Sequence, residues 1–196
     1  MTRRIVIAGG GSAGWIAASL FQHHFTGTDT EITLVESDNV PVIGVGEGHD
    51  HSLMSQMEDL TLPFGRNTGP QALEMAGITY SDLDLTMIYD SFTYTVLVTL
   101  EDLGFCEKGK GGAFVADGNL ISGQGRLPFN TDGGGLCSNH PANRGGMTKI
   151  LEAVRQLRGE AHPAVQVPNC DLALAHGTGG SLATRHGSAT VILERV

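Results

Sequence analysis

The sequence predicts an α/β fold, and three observations carry that prediction. Short apolar runs of strand length recur at residues 4–8, 31–36, 83–89, 172–175 and 189–194. Segments with helical spacing lie between them, at 13–25, 70–76, 92–103 and 146–157. Glycines close the helical segments, as at Gly77 and Gly104, in the way that left-handed C-caps do. Strands alternating with helices define a layered α/β architecture.

Each element has its own reason. RIVIA (4–8) is a continuous apolar run, which suits a buried parallel strand. A glycine turn follows, then the helical stretch 13–25. EITLVE (31–36) reads as a second strand, and 40–45 as a third apolar stretch ending in glycines. Residues 46–66 show no strong period and read as loop or short helix. Residues 70–76 read as a short helix, closed by Gly77 as a C-cap. Residues 105–146 are glycine-rich and read mostly as loop, a length that is usually functional inside a compact domain. The segment 146–157 is an amphipathic helix with Ile150, Leu151, Val154 and Leu157 on one face.

Composition narrows the function. The chain has 196 residues, enough for one domain with a sizeable core. Its formal net charge is −9, and no basic stripe is present to neutralise phosphates, so nucleic acid is excluded as a partner. No apolar run approaches the roughly 20 residues of a membrane span. Its three cysteines, Cys106, Cys137 and Cys170, show no CxxC spacing, which argues against a disulfide framework or a zinc site. The basic and apolar start is broken by glycines at 9–11 and reads as a strand entering a turn rather than a signal peptide. The expectation is a cytoplasmic protein. His49-Asp50-His51 has ligand residue types, but one short HxH makes no metal site. Asp82, Asp84 and Asp90 form no obvious carboxylate pair.

Gly9-Gly10-Gly11-Ser12-Ala13-Gly14 fits G-x-G-x-x-G between a strand and a helix, and Glu36 ends the next strand. The glycines permit a tight turn, and the helix start offers free N–H groups to a pyrophosphate. Glu36 would accept a hydrogen bond from a ribose hydroxyl. Alternatively, the segment is a tight strand–helix connection with no ligand. RIVIAGGGSAGWIAA (4–18), ITLVES (32–37) and IGVGE (43–47) resemble the start of flavin-dependent tryptophan halogenases. That resemblance implies a Rossmann-type βαβ segment over 1–46 and an FAD site at Gly9, Gly11, Gly14 and Glu36. The tryptophan-containing motif and catalytic lysine of those enzymes have no counterpart here, and Trp15 is the chain's one tryptophan.

A second resemblance begins at about Pro41, within the first, and implies a second domain over residues 47–196. VIGVGEGHDHSLMSQMEDLT (42–61), GPQALEMAGITYSDLDLTMIYDSF (69–92), LEDLGFCEKGKGGAFV (100–115), LPFNTDGGGLCSNHPANRGGM (127–147), ILEAVRQLRGEA (150–161) and HGTGG (176–180) resemble the carboxy-terminal half of thiolases. The branch is the one containing lipid-transfer-protein and acetyl-CoA acetyltransferase-like members. The resemblance implies a mixed sheet with helices and Claisen chemistry on acyl-CoA, with the CoA thioester as substrate and no further cofactor. It implies His140 as the histidine that activates a nucleophile and helps bind the thioester oxygen. It places His176 where thiolases carry a second, acid/base cysteine, and Tyr89-Asp90-Ser91-Phe92 where they carry Asn-Glu-Ala-Phe. Tyr89 and Asp90 would then orient a water or a histidine; Tyr89 and Phe92 equally suit strand-end aromatics packed in a core.

The half that carries a thiolase's nucleophilic cysteine has no counterpart here. The expected enzyme is therefore incomplete alone and relies on a partner chain or a homo-oligomer. Cys137 lies three residues before His140, but a loop cysteine with no demonstrated contact is usually inert. Cys106 reads as structural. The segment 42–48 suits both resemblances, so the chain reads as a chimera of two larger proteins. Besides the acyltransferase reading, two others stand: a flavin-binding fragment, and a non-catalytic fusion or oligomerisation module.

Overall fold

A computed structural model describes residues 3–8, 30–35, 39–51, 56, 59, 61–121, 125–138, 145–179 and 187–196. Strands β1 (Arg3–Ala8) and β2 (Thr30–Val35) pair in parallel, from Arg3 opposite Thr30 to Ala8 opposite Val35. They form a two-stranded sheet of their own. The helix expected at 13–25 lies outside the described residues.

The second sheet is mixed and four-stranded. It comprises β3 (Val42–His49), β4 (Leu85–Ile88), β5 (Leu172–Gly179) and β6 (Gly187–Glu194), in the order β3-β6-β5-β4. The β4–β5 pair is parallel, and the β5–β6 and β3–β6 pairs are antiparallel. The α/β fold expected from the sequence is thus present, in two sheets. β3 runs through the expected division at 46/47 and replaces the start of the expected loop at 46–66.

The helices cover both faces of this sheet. They are α1 (Gly65–Ala76), α2 (Thr93–Leu103), α3 (Gly111–Val115), α4 (Gly134–Cys137) and α5 (Gly145–Arg158). α1 begins five residues before Pro70, which therefore lies inside the helix. Pro70 has no N–H, so the carbonyl of Arg66 lacks its helical donor. Gly77 (φ 69°) and Gly104 (φ 91°) cap α1 and α2 in the left-handed conformation, as the sequence led one to expect. Short α3 and α4 lie in the stretch read as loop.

The glycines of β3 explain how α1 sits on the sheet. A Cβ at Gly44 would stand 2.1 Å from the carbonyl oxygen of Ala72, and one at Gly46 would stand 2.0 Å from that of Thr68. The backbone of α1 therefore lies directly on the strand, where no side chain fits. The segment shared by both sequence resemblances is the one that admits this helix.

Strand alternation divides the core. Leu85, Met87, Ala173, Ala175, Val191 and Leu193 face α5 and pack with its Ala153 and Leu157. Ile88, Leu174 and Ile192 face the other way and pack with Ala72 and Leu73 of α1 and Leu100 and Leu103 of α2. The expected apolar face of α5 needs one correction: Leu151 is 54% exposed, and Lys149, Glu152 and Gln156 are buried instead. Outer strand β4 is covered by residues 128–130. Thr86 N–H donates to the carbonyl of Pro128, and the side-chain amide of Asn130 exchanges two 2.9 Å hydrogen bonds with the backbone of Ile88. The side chain thereby stands in for a neighbouring strand.

Candidate active site

The parallel strands β4 and β5 end side by side, which is where open α/β sheets tend to place ligands. Tyr89 follows β4, and its N–H donates to the carbonyl of His176 at 2.9 Å, extending the ladder past the last paired residue. Tyr89 is 8% exposed, and its ring lies against the start of α5. A Cβ at Gly145 would stand 2.1 Å from its Cε2, so glycine is required there. Burial, followed by the nearby Asp90 charge, pushes the phenol pKa up, so Tyr89 is neutral at physiological pH.

Asp90 turns toward α4. Its Oδ1 accepts from the N–H of Gly135 at 2.6 Å, and its Oδ2 from that of Leu136 at 3.3 Å. Both oxygens thus hold backbone, where the sequence suggested a carboxylate orienting a water or a histidine. Asp132 completes the arrangement: its Oδ1 accepts from the N–H of Gly134 at 2.9 Å. Two carboxylates therefore fix three consecutive amides of the glycine turn that precedes His140.

The inner face of α5 anchors this turn. Lys149 is fully buried, and its Nζ lies 2.9 Å from each oxygen of Asp132. Thr131 donates to Glu152 at 2.8 Å, and Gln156 donates to Thr131, to Glu152 and to the carbonyl of Val165, each at 3.0 Å. These buried groups satisfy one another, which such a network requires. Sequence reasoning missed Asp132, Lys149, Glu152 and Gln156. Their signal was the spacing 149, 152, 156 on one helical face, which reads by default as a solvated stripe.

His176 does not join Tyr89 and Asp90. The residue is 1% exposed, and its ring lies on the α1 side of the sheet, with Nδ1 2.8 Å from Thr190 Oγ1. Thr190 contacts Thr68 of α1 at 3.0 Å, and Thr68 contacts Ser188 at 2.9 Å. Burial pushes the His176 pKa down to about 3, so the imidazole is neutral. His140, Gly9, Gly11, Gly14 and Glu36 lie outside the described residues.

The three cysteines are free. Cys170 is 1% exposed and burial pushes its thiol up to about 12; burial also pushes Cys106 up. Neither has the lowered pKa of a reactive thiolate. Cys137 is exposed. Asp50 pairs with His51 and, at 3.5 Å, with Arg66. Among the described residues, no three His, Cys, Asp or Glu side chains gather to hold a metal ion, and no helix is long and apolar enough to cross a membrane.

Comparison with known proteins places these features. Residues 46–195 match the family described as thiolase C-terminal domain-like, and residues 4–81 match tryptophan halogenase. An acetyl-CoA acetyltransferase of Methanothermobacter thermautotrophicus is 36% identical over 136 residues, 69% of this chain and 34% of that protein. A steroid side-chain-cleaving aldolase of Thermomonospora curvata is 43% identical over 117 residues, 58% of this chain and 29% of that protein. The solved structure of an Ltp2-ChsH2(DUF35) aldolase superposes with a TM-score of 0.68 at 34% identity, over 80% of this chain and 39% of that one. The matched region spans between 19% and 38% of the length of the curated relatives.

Proposed function

The chain belongs to the thiolase C-terminal domain-like family, and on that premise we propose that it supplies one half of an acyl-CoA site that makes or breaks a carbon–carbon bond beside a thioester. A partner polypeptide supplies the other half, including the nucleophilic cysteine. The observation that carries this reading is the fixed glycine turn. Asp90 and Asp132 hold the amides of 134–136 against the Tyr89 strand end, and His140 follows four residues later.

In this reading the partner's thiolate attacks the ketone carbon of a 3-ketoacyl-CoA. The bond between C2 and C3 breaks, and acetyl-CoA leaves as its enolate and takes a proton. The acyl group on the partner's sulfur then passes to the thiol of free CoA. This chain contributes His140, which binds the thioester oxygen and stabilises the enolate. Tyr89 is a neutral wall at the strand end, and Asp90 is a positioning residue. His176, held on the opposite face, is outside the reacting group.

A second reading, retro-aldol cleavage, is favoured by the absence of a cysteine from the sequence 176–180, where the resemblance puts a thiolase's second thiol. Such a reaction needs no thiol: a base takes the hydroxyl proton of a 3-hydroxyacyl-CoA, the same bond breaks, and the enolate is protonated. The names of the two aldolase relatives support it. The test is to co-express the chain with the amino-terminal half of the Methanothermobacter relative. The assembly is then assayed with acetoacetyl-CoA plus CoA, and with 3-hydroxybutyryl-CoA. Turnover of the first supports the acyltransferase and turnover of the second alone supports the aldolase. A folded assembly that consumes neither overturns both.

Flavin binding by residues 1–46 is a separate proposal. The parallel β1–β2 pair suits a βαβ unit. Titration with FAD, in wild type and in Gly11→Ala, tests it by flavin fluorescence quenching, and no step above runs through a flavin.

A further inference from the structure

His176 carries a buried side chain that the proposed reaction does not use. In the sheet it is paired on both sides, opposite Ile88 of β4 and opposite Thr190 of β6. Ile88 is the last paired residue of β4, and beyond it the carbonyl of His176 accepts the N–H of Tyr89 at 2.9 Å. The direction in which Tyr89 leaves the sheet therefore depends on that carbonyl. Asp90 follows directly and accepts from the amides of Gly135 and Leu136. A strand end held by one further hydrogen bond frays unless its acceptor is itself fixed.

The ring of His176 is tied into a row of hydroxyls on the opposite face. Nδ1 lies 2.8 Å from Thr190 Oγ1, which lies 3.0 Å from Thr68 Oγ1 of α1, and Thr68 Oγ1 lies 2.9 Å from Ser188 Oγ of β6. All four residues are buried. With the proton on Nδ1 the hydrogens run one way: the ring donates to Thr190, Thr190 to Thr68 and Thr68 to Ser188. His176 is thus bound to Thr190 twice, by strand pairing and by side chain, and through Thr68 to the helix that lies on β3.

We propose that His176 is a positioning residue for the Tyr89–Asp90 end of β4: Thr190 and Thr68 hold its ring, and its backbone carbonyl holds the strand end. Its effect on turnover rests on the acyl-CoA reading; its geometry does not. Burial keeps the ring neutral at physiological pH, so the hydrogen bond to Thr190 is between uncharged groups.

Two variants separate an anchor from a reacting imidazole. His176→Asn removes the imidazole but keeps an N–H donor on the branch of Cγ where Nδ1 stands. Thr190→Val keeps the imidazole and removes its partner. In the assembly with the relative's amino-terminal half, Thr190→Val is expected to lose about 100-fold in kcat, the scale of a misplacement of about 1 Å. His176→Asn is expected to keep most of the wild-type rate. A loss in His176→Asn as large as that in Thr190→Val overturns the proposal, and so does a Thr190→Val rate equal to wild type. Hydrogen exchange on the full chain needs no turnover. The Tyr89 amide should exchange about tenfold faster in Thr190→Val, measured against the amides of α5, as for one lost hydrogen bond. In His176→Asn it should stay near wild type. A general loss of stability speeds both sets of amides together, and Tyr89 exchange that only follows α5 in Thr190→Val overturns the proposal. A wild-type assembly without turnover overturns the acyl-CoA reading alone, and the exchange result then decides this one.

Discussion

The N–H of Tyr89 donates to the carbonyl of His176 at 2.9 Å, yet the two side chains leave the sheet on opposite faces. The Tyr89 ring meets Gly145 of α5, and the His176 ring meets Gly65 of α1. Two residues expected in one constellation are neighbours along the backbone and separated by the sheet. The turn held by Asp90 and Asp132 is on the Tyr89 side, and that side is where the chemistry is proposed.

Asp90 is expected to act through the backbone. Asp90→Asn keeps one acceptor and turns an amide donor toward the N–H groups of 135 and 136. A loss of about 1–3 kcal/mol is expected for the unsatisfied amides. Hydrogen exchange at Gly135 should speed up relative to wild type. Unchanged exchange would mean that the carboxylate does not hold the turn.

Gly145→Ala should be costly, because its Cβ would stand 2.1 Å from the Tyr89 ring. Overpacking of this kind costs about 1–3 kcal/mol. Gly112→Ala in α3 is the control, since a Cβ there meets nothing within 4 Å. It should be neutral or raise stability by up to about 1 kcal/mol. Urea denaturation of both variants makes the comparison, and equal effects would contradict the close approach of α5 to Tyr89.

Lys149→Met should destabilise by about 3–5 kcal/mol, because it leaves the Asp132 carboxylate without its buried partner. The double variant Lys149→Met with Asp132→Asn should recover part of that loss. A double variant no better than the single one would show that the pair is not coupled.

Two buried groups give opposite pH dependences. The folded pKa of His176, about 3, lies below its unfolded value of about 6.5. The unfolded chain therefore binds more protons there, and stability falls as pH drops from about 6.5 toward 3. The folded pKa of Asp102, about 6, lies above its unfolded value of about 3.8. The folded chain then binds more protons, and stability rises as pH drops from about 6 toward 3.8. Between these limits the two slopes, each up to about 1.4 kcal/mol per pH unit, oppose each other. Relative to wild type, Asp102→Asn should lose Tm more steeply from pH 6 to pH 4, and His176→Gln less steeply. Parallel Tm curves would contradict the burial of both groups.

Much of the fold was legible in the sequence, for physical reasons. Continuous apolar runs marked β1, β4, β5 and β6, and glycine C-caps placed the ends of α1 and α2. β3 was only half recognised, because Gly44, Gly46 and Gly48 replace the apolar residues of a typical strand, two of them to admit the backbone of α1. Pro70 suggested a helix start and instead lies inside α1. At the candidate site, Tyr89 and Asp90 were visible as residue types, but their directions were not. Strand parity at His176 would have placed its ring with Leu174, away from Tyr89. The polar row of Lys149, Glu152 and Gln156 was hidden because its partners, Thr131 and Asp132, come from a loop whose course no periodicity reveals.

As proposed, this chain supplies half of an acyl-CoA site through the segment ending at His140. The most direct measurement is acyl-CoA turnover by the assembly with a relative's amino-terminal half, comparing wild type with His140→Ala. Expected are no turnover by the chain alone, turnover by the assembly, and a loss of at least about 100-fold in kcat for the variant, the lower end of what a positioned acid–base group contributes. Turnover unaffected by His140→Ala, or a folded assembly that consumes neither acetoacetyl-CoA nor 3-hydroxybutyryl-CoA, would contradict it.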